Sequence, residues 1–361
     1  MLLNCKPNCE AFATLSRLTR PAWPFTHAHM ATSPPFLLAE CLRGHLVESR
    51  HTGSFVVTDA DGRVVLAGGD PALPVFPRSA IKALQALPLL TAGAADRFGL
   101  TDAELALACA SHTGLPAHGR TAADMLHRAG RDETCLECGA HWPTSASAAR
   151  ALAASGQTPT ALHNNCSGKH AGFVCLAVAA GDDPSGYVRP DHPTMTRVTR
   201  AVEEVTGAAL TAANRAIDGC SIPTYRVPLD SIATGFARFG TGSRLPAGFD
   251  AAAMRLRQAV AANPDMIAGP GRFDTEVTAA LGEAAFVKTG AEGVHAGAMP
   301  ALGLGFAIKV EDGHNRAADA FAAALLRRFL PGHAVLDGWA DRALVNWNGV
   351  AVGAVRAAAL P

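Results

Sequence analysis

The chain has 361 residues, 49% of them hydrophobic and 17% charged, and its acidic and basic side chains balance to a net charge of +0. That is enough apolar matter for a sizeable core, in one large or two ordinary domains. Even charge argues against the basic face that nucleic acid or an anionic membrane requires, and no stretch approaches the ~20 apolar residues of a membrane span.

Nine cysteines are too sparse for a disulfide scaffold, and their number is odd. They predict a reducing cytoplasm, with some in the core and some available as ligands. Residues 1–35 are rich in proline and lack sustained periodicity. No apolar run there leads to a small-residue cleavage site, so a secretory signal is not expected. The segment reads as a disordered tail or as a mis-called start, with Met30 the true initiator.

Residues 38–69 alternate, and Asp61-Gly62 between two β-branched runs predicts a hairpin. An antiparallel sheet therefore precedes a helix that begins near Ser79, and Pro88 should kink or end that helix. Thr101-Asp102-Ala103-Glu104 is a capping box opening a helix over 104–110, which ends in the loop Ser111-His112-Thr113-Gly114. Helices follow at 117–129, 145–155, 171–180, 193–206, 229–239, 250–262 and 273–283. The chain then returns to strands at 283–290, 303–311 and 345–353, with a helix at 316–330 between the last two. The order predicts an α+β fold whose N- and C-terminal strands share one antiparallel sheet and whose helical middle packs against it.

Ser79 and Lys82 stand three apart and meet on one helix face. A serine hydroxyl is a weak nucleophile until a base takes its proton, and lysine can serve only if its pKa falls by ~3 units through burial or nearby positive charge. Ser-x-x-Lys alone is common, and a solvated helix face explains it equally well. Lys288-Thr289-Gly290 on a later strand adds weight. Helix-borne Ser-x-x-Lys followed by strand-borne Lys-Thr-Gly resembles penicillin-binding proteins and serine β-lactamases. Their middle motif is Ser-x-Asn; here Ser111-His112-Thr113 keeps the serine and lacks the asparagine, which sets β-lactam chemistry in question.

Five motifs together, Arg78-Ser79-Ala80-Ile81-Lys82, Cys109-Ala110-Ser111-His112, Asn165-Cys166-Ser167-Gly168-Lys169-His170, Asp218-Gly219-Cys220-Ser221-Ile222-Pro223-Thr224 and Val287-Lys288-Thr289-Gly290-Ala291, resemble the asparaginase II family of rhizobial-type, class 3 L-asparaginases. The resemblance runs from about residue 38 to 357. It implies a β-lactamase-like fold, hydrolysis of L-asparagine to L-aspartate and ammonia, a homodimer, and a single catalytic unit over 36–361. That unit divides into an α/β part, 36–80 plus 284–361, and a helical part, 81–283. It also implies two serine–lysine pairs, Ser79 with Lys82 and Ser111 with Lys288. The oxyanion would sit against the backbone N–H of Ser79 and one just after Gly290.

Cys166, Lys169 and Cys220 match the family's zinc site, which assists substrate binding rather than chemistry. Thiolates suit zinc; lysine is a rare ligand because it must first lose its proton. Arg78, Gly168, His170, Asp218 and Thr289 are the implied substrate contacts. Other readings stay open: buried structural cysteines at 166 and 220, or a structural zinc at Cys135-x-x-Cys138 with His141. Cys109 and Cys175 read as core. At the level of function, a glutaminase, a β-lactamase or D,D-peptidase, and a non-catalytic zinc- or ligand-binding relative are the alternatives.

Overall fold

Alternation places successive side chains of a strand on opposite faces, and the strand Leu46–Asp59 shows what that builds. Phe55 and Val57 enter one core, together with Phe306, Ile308 and Phe321. Val56, between them, enters another with Leu84, Leu87 and Phe236. A sheet apolar on both faces needs a cover on each, and it has one. The computed structural model describes residues 33–361, and the reading of 1–35 as tail or misplaced start falls almost wholly outside them.

The eight-stranded sheet runs in the order Asp341–Val345, Ala351–Ala357, Phe36–Arg43, Leu46–Asp59, Leu304–Val310, Val294–Met299, Phe286–Thr289, with Val64–Gly68 attached beside Leu46–Asp59. All pairings are antiparallel. Ala39 lies opposite Ala357, so the two ends of the described chain meet in one sheet as expected. One face carries the helices Phe273–Leu281, Asn315–Phe329 and Ala334–Ala340; the other carries the helical middle of the chain.

Several elements depart from the sequence reading. The segment around 345–353 is two strands joined through Asn346–Gly349, where Asn346 Oδ1 accepts from the Asn348 and Val350 amides. The strand Val294–Met299 was not predicted. Its residues are all buried, so it lacks the alternation that marks a half-exposed strand. Pro88 does not end its helix, which runs from Lys82 to Thr91 behind a single 3₁₀ turn at Arg78–Ile81. The capping box at Thr101 forms with Glu104 as read, but its helix is Asp102–Ala108.

Candidate active site

The 3₁₀ turn Arg78–Ile81 places Ser79 where the helix Lys82–Thr91 meets the end of the strand Phe286–Thr289. Gly290 permits the approach. A Cβ there would lie 2.8 Å from the Pro77 carbonyl oxygen and 3.1 Å from Ala80 Cβ. The turn is held in an uncommon conformation: Arg78 has φ of 51°, a region that costs a non-glycine residue ~1–3 kcal/mol. Its guanidinium holds Asp218, with Nε and Nη2 at 2.9 and 2.8 Å from Oδ1.

Ser79 is half-buried and lines a cleft of about 230 Å³ with Ser111, Asp274, Lys288, Thr289 and Ala291. That volume lies below the ~300–1,000 Å³ of pockets for drug-sized ligands, so the cleft suits a small one. Among the described residues, Ser79 Oγ and the backbone N–H groups of Ser79 and Ala291 donate to no protein acceptor.

Lys82 is buried behind this cleft. Its ammonium donates to the Ala110 carbonyl and, at 3.0 Å, to Ser111 Oγ. Burial lowers its pKa; Cys166 opposes that, and the charges of Lys169 and Lys288 add to it. Lys288 is also fully buried, but it pairs with a carboxylate, at 3.0 Å from Asp274 Oδ2, and donates to the Thr289 carbonyl at 2.8 Å. Asp274 further accepts from the Thr289 amide and, at 2.6 Å, from its hydroxyl. Burial pushes the Asp274 carboxyl up, yet Lys288, His295 and Thr289 together hold it below the ordinary value. The bonds therefore differ from the expected pairs: Ser111 bonds Lys82, and Lys288 bonds Asp274. Asp274 escaped the sequence reading because nothing local links it to a strand fourteen residues on.

Of the five implied substrate contacts, Thr289 alone lines the cleft. Arg78 and Asp218 neutralise one another. Gly168 serves helix packing, since a Cβ there would fall 2.4 Å from Leu107 Cγ. His170 is buried, its Nδ1 bonded to the Tyr187 hydroxyl at 2.6 Å, and burial with the Lys169 and Lys82 charges lowers its pKa well below the ordinary value. The cleft adds polar residues that no motif marked, among them Arg272, Asn315 and Asp319.

Cys166, Lys169 and Cys220 gather beside Lys82. Lys169 Nζ is 3.1 Å from Cys220 Sγ. A bond from Cys220 is the first cause that lowers Cys166 well below the usual thiol range, with Lys82 and Lys169 adding to it. The start of the helix Ser167–Ala180 and the loop before Pro223 bring these donors together from distant chain positions. Two sulfurs and one amine, all buried, form a three-donor set that suits a thiolate-preferring ion such as zinc. No group of three His, Cys, Asp or Glu among the described residues could hold a metal, so an ion here would need Lys169 as a ligand, without the proton it now donates to Cys220. The alternative at Cys135, Cys138 and His141 is not assembled. His141 Nδ1 faces the Trp142 carbonyl, its Nε2 accepts from the Asn165 amide, and Cys138 Sγ donates to the Ala161 carbonyl. Burial pushes Cys109 and Cys175 each to about 12, as core thiols.

Serine and buried lysine sharing a small cleft at a helix–strand seam define a class of site suited to acyl transfer. The family model described as L-asparaginase II matches residues 39–357, and the chain belongs to that family, which places it among the amidohydrolases. No curated protein matches. Among solved structures, a β-lactamase from Mycobacterium bovis aligns over 77% of this chain and 94% of its own, at 15% identity and a TM-score of 0.38. No helix among the described residues is long and apolar enough to cross a membrane.

Proposed function

We propose that the chain is an L-asparaginase with Ser79 as nucleophile, Lys82 as its base, and Ser111 and Lys288 as supporting groups. The observation that carries this reading is a buried lysine, its pKa lowered, directly behind a cleft that exposes a free serine hydroxyl. Ser79 Oγ attacks the side-chain amide carbon of asparagine as its proton passes to neutral Lys82, with Ser111 as the relay. The oxyanion lies against the unengaged N–H groups of Ser79 and Ala291. The C–N bond breaks and the proton held by Lys82 leaves with the amine as ammonia. Water then attacks the ester as Lys82 takes its proton, and returning that proton to Ser79 Oγ releases aspartate. Lys288 keeps positive charge near Lys82, and Asp274 fixes Lys288 and Thr289 at the cleft wall.

A zinc ion held by Cys166, Lys169 and Cys220 fits the donor set; bound there, it assists substrate binding rather than attack. The same reading includes a cytoplasmic homodimer, which the family resemblance and the cysteine usage support. Ammonia release tests the function: turnover of L-asparagine well above L-glutamine, with no nitrocefin hydrolysis, is expected. Good nitrocefin turnover with poor asparagine turnover overturns it in favour of a β-lactamase, and asparagine binding without turnover favours a non-catalytic relative.

The 3.0 Å bond from Lys82 to Ser111 favours a second assignment, with Ser111 as the acylated residue. Mass spectrometry of the trapped acyl-enzyme separates the two. The adduct should vanish in Ser79→Ala; survival there and loss in Ser111→Ala exchanges the roles.

A further inference from the structure

Resting on the reading above, a substrate that is an amino acid brings two opposite charges into the cleft beside its amide. Of the charged residues singled out from motifs, Arg78 and Asp218 are closed on one another and lie outside the cleft lining. Lys288 and Asp274 are likewise paired. Two charged side chains of the lining remain unmatched. We infer that Arg272 and Asp319 form the head-group subsite, Arg272 receiving the α-carboxylate of the substrate and Asp319 its α-ammonium.

Arg272 occupies the position just before the helix Phe273–Leu281, without a capping bond from its side chain. It is exposed, and its guanidinium has no hydrogen bond or ion pair among the described residues. It stands two residues before Asp274, so the element that fixes Lys288 also sets its place. Asp319 lies one turn beyond Asn315 on the helix Asn315–Phe329, on the same face. Asn315 ties that turn to the cleft wall: its Oδ1 accepts from the Gly293 amide at 3.0 Å, and its Nδ2 reaches the Gly290 carbonyl at 3.4 Å.

Asp319 Oδ1 is buried without a partner. The side chain is 18% exposed, and its nearest cation candidate is His295 Nε2 at 4.0 Å, a ring that burial lowers to about 4 and so leaves neutral. A buried carboxyl lacking a donor is a costly arrangement that an arriving ammonium would relieve. Burial, then Asp274, raises the Asp319 carboxyl to about 7, against the pull of Arg272, Arg342 and Lys288, so it is poised to ionise fully once a cation occupies the site.

The test compares three amides in ammonia-release assays on the full chain. These are L-asparagine, succinamic acid, which lacks the α-amino group, and 3-aminopropanamide, which lacks the α-carboxylate. Asp319→Asn should raise KM for L-asparagine about ten- to hundredfold and leave succinamic acid unchanged, a result that also proves the variant folded. Arg272→Gln, a change at an exposed site, should weaken L-asparagine and succinamic acid alike and spare 3-aminopropanamide. Unchanged L-asparagine kinetics in both variants, or equal losses on all three amides, overturns the subsite while leaving the asparaginase reading intact. Absence of ammonia release from L-asparagine by the unaltered protein overturns that reading and this one with it.

Discussion

Lys82 and Lys288 are the same residue at the same depth, 1% and 0% exposed, and they flank one cleft. Their hydrogen-bond partners differ. Lys82 meets a carbonyl and a hydroxyl, whereas Lys288 meets a carboxylate that is itself tied down by Thr289. A buried ammonium without a counter-ion is costly, and losing its proton removes most of that cost. A buried ion pair with satisfied hydrogen bonds can persist, and breaking it leaves one charge stranded. Burial alone therefore does not make a base; the partner decides.

The largest effect should come at the cleft itself. Ser79→Ala and Lys82→Met should each lower kcat for ammonia release by about 10⁴-fold or more, the scale of losing a nucleophile or its base, with the urea unfolding midpoint nearly unchanged. A midpoint collapse in Lys82→Met would mean that Lys82 is a structural cation like Lys288, and the contrast would fail.

The next effect belongs to the ion pair. Asp274→Ala should destabilise by about 3–5 kcal/mol, because Lys288 is left buried and unpaired. Replacing both partners, Asp274→Leu with Lys288→Met, should restore most of that in urea unfolding while activity stays lost. Equal destabilisation by the single and double changes would place the energy elsewhere.

Asp319 sharpens the comparison through pH. Its carboxyl rises from 3.8 to about 7 on folding. Between those values the folded state binds more protons than the unfolded state, so this group makes stability fall as pH rises. Asp319→Asn should therefore match the unaltered protein at pH 4 and exceed it at pH 8 in urea unfolding. A constant difference across that range would mean the carboxyl titrates alike in both states.

The smallest effect concerns how closely the two lysines' elements approach. Gly290→Ala would put a methyl 2.8 Å from the Pro77 carbonyl oxygen. Overpacking of this kind costs about 1–3 kcal/mol, and displacement of the Ser79 turn should lower kcat more than it raises KM. Unchanged kinetics would show that the seam between turn and strand is looser than its geometry implies.

Much of the scaffold was open to local reasoning. Alternation around Phe55, the capping box at Thr101 and the long apolar helices are patterns of neighbouring residues, and local sterics and hydrogen bonding settle them. Reading failed where the signal was not local. The strand Val294–Met299 is buried on both faces and shows no alternation. The hairpin turn at Asn346–Gly349 sat inside what looked like one strand. At the site, motif spacing brought out Ser79, Lys82, Ser111 and Lys288, but their bonding partners lay beyond it. Asp274, Arg272 and Asp319 have no motif because each matters only through residues far along the chain.

The amino-acid sequence by itself determined which chemical groups exist, the short spacings Ser79-x-x-Lys82 and Cys166-x-x-Lys169, and the periodicities that make helices and strands. Only the tertiary structure decided which lysine meets a carboxylate, which arginine is already spent on an aspartate, and which charges still face the cleft. Charge state and availability depend on solvent exclusion and on partners within a few ångströms, and folding, not chain order, sets those distances.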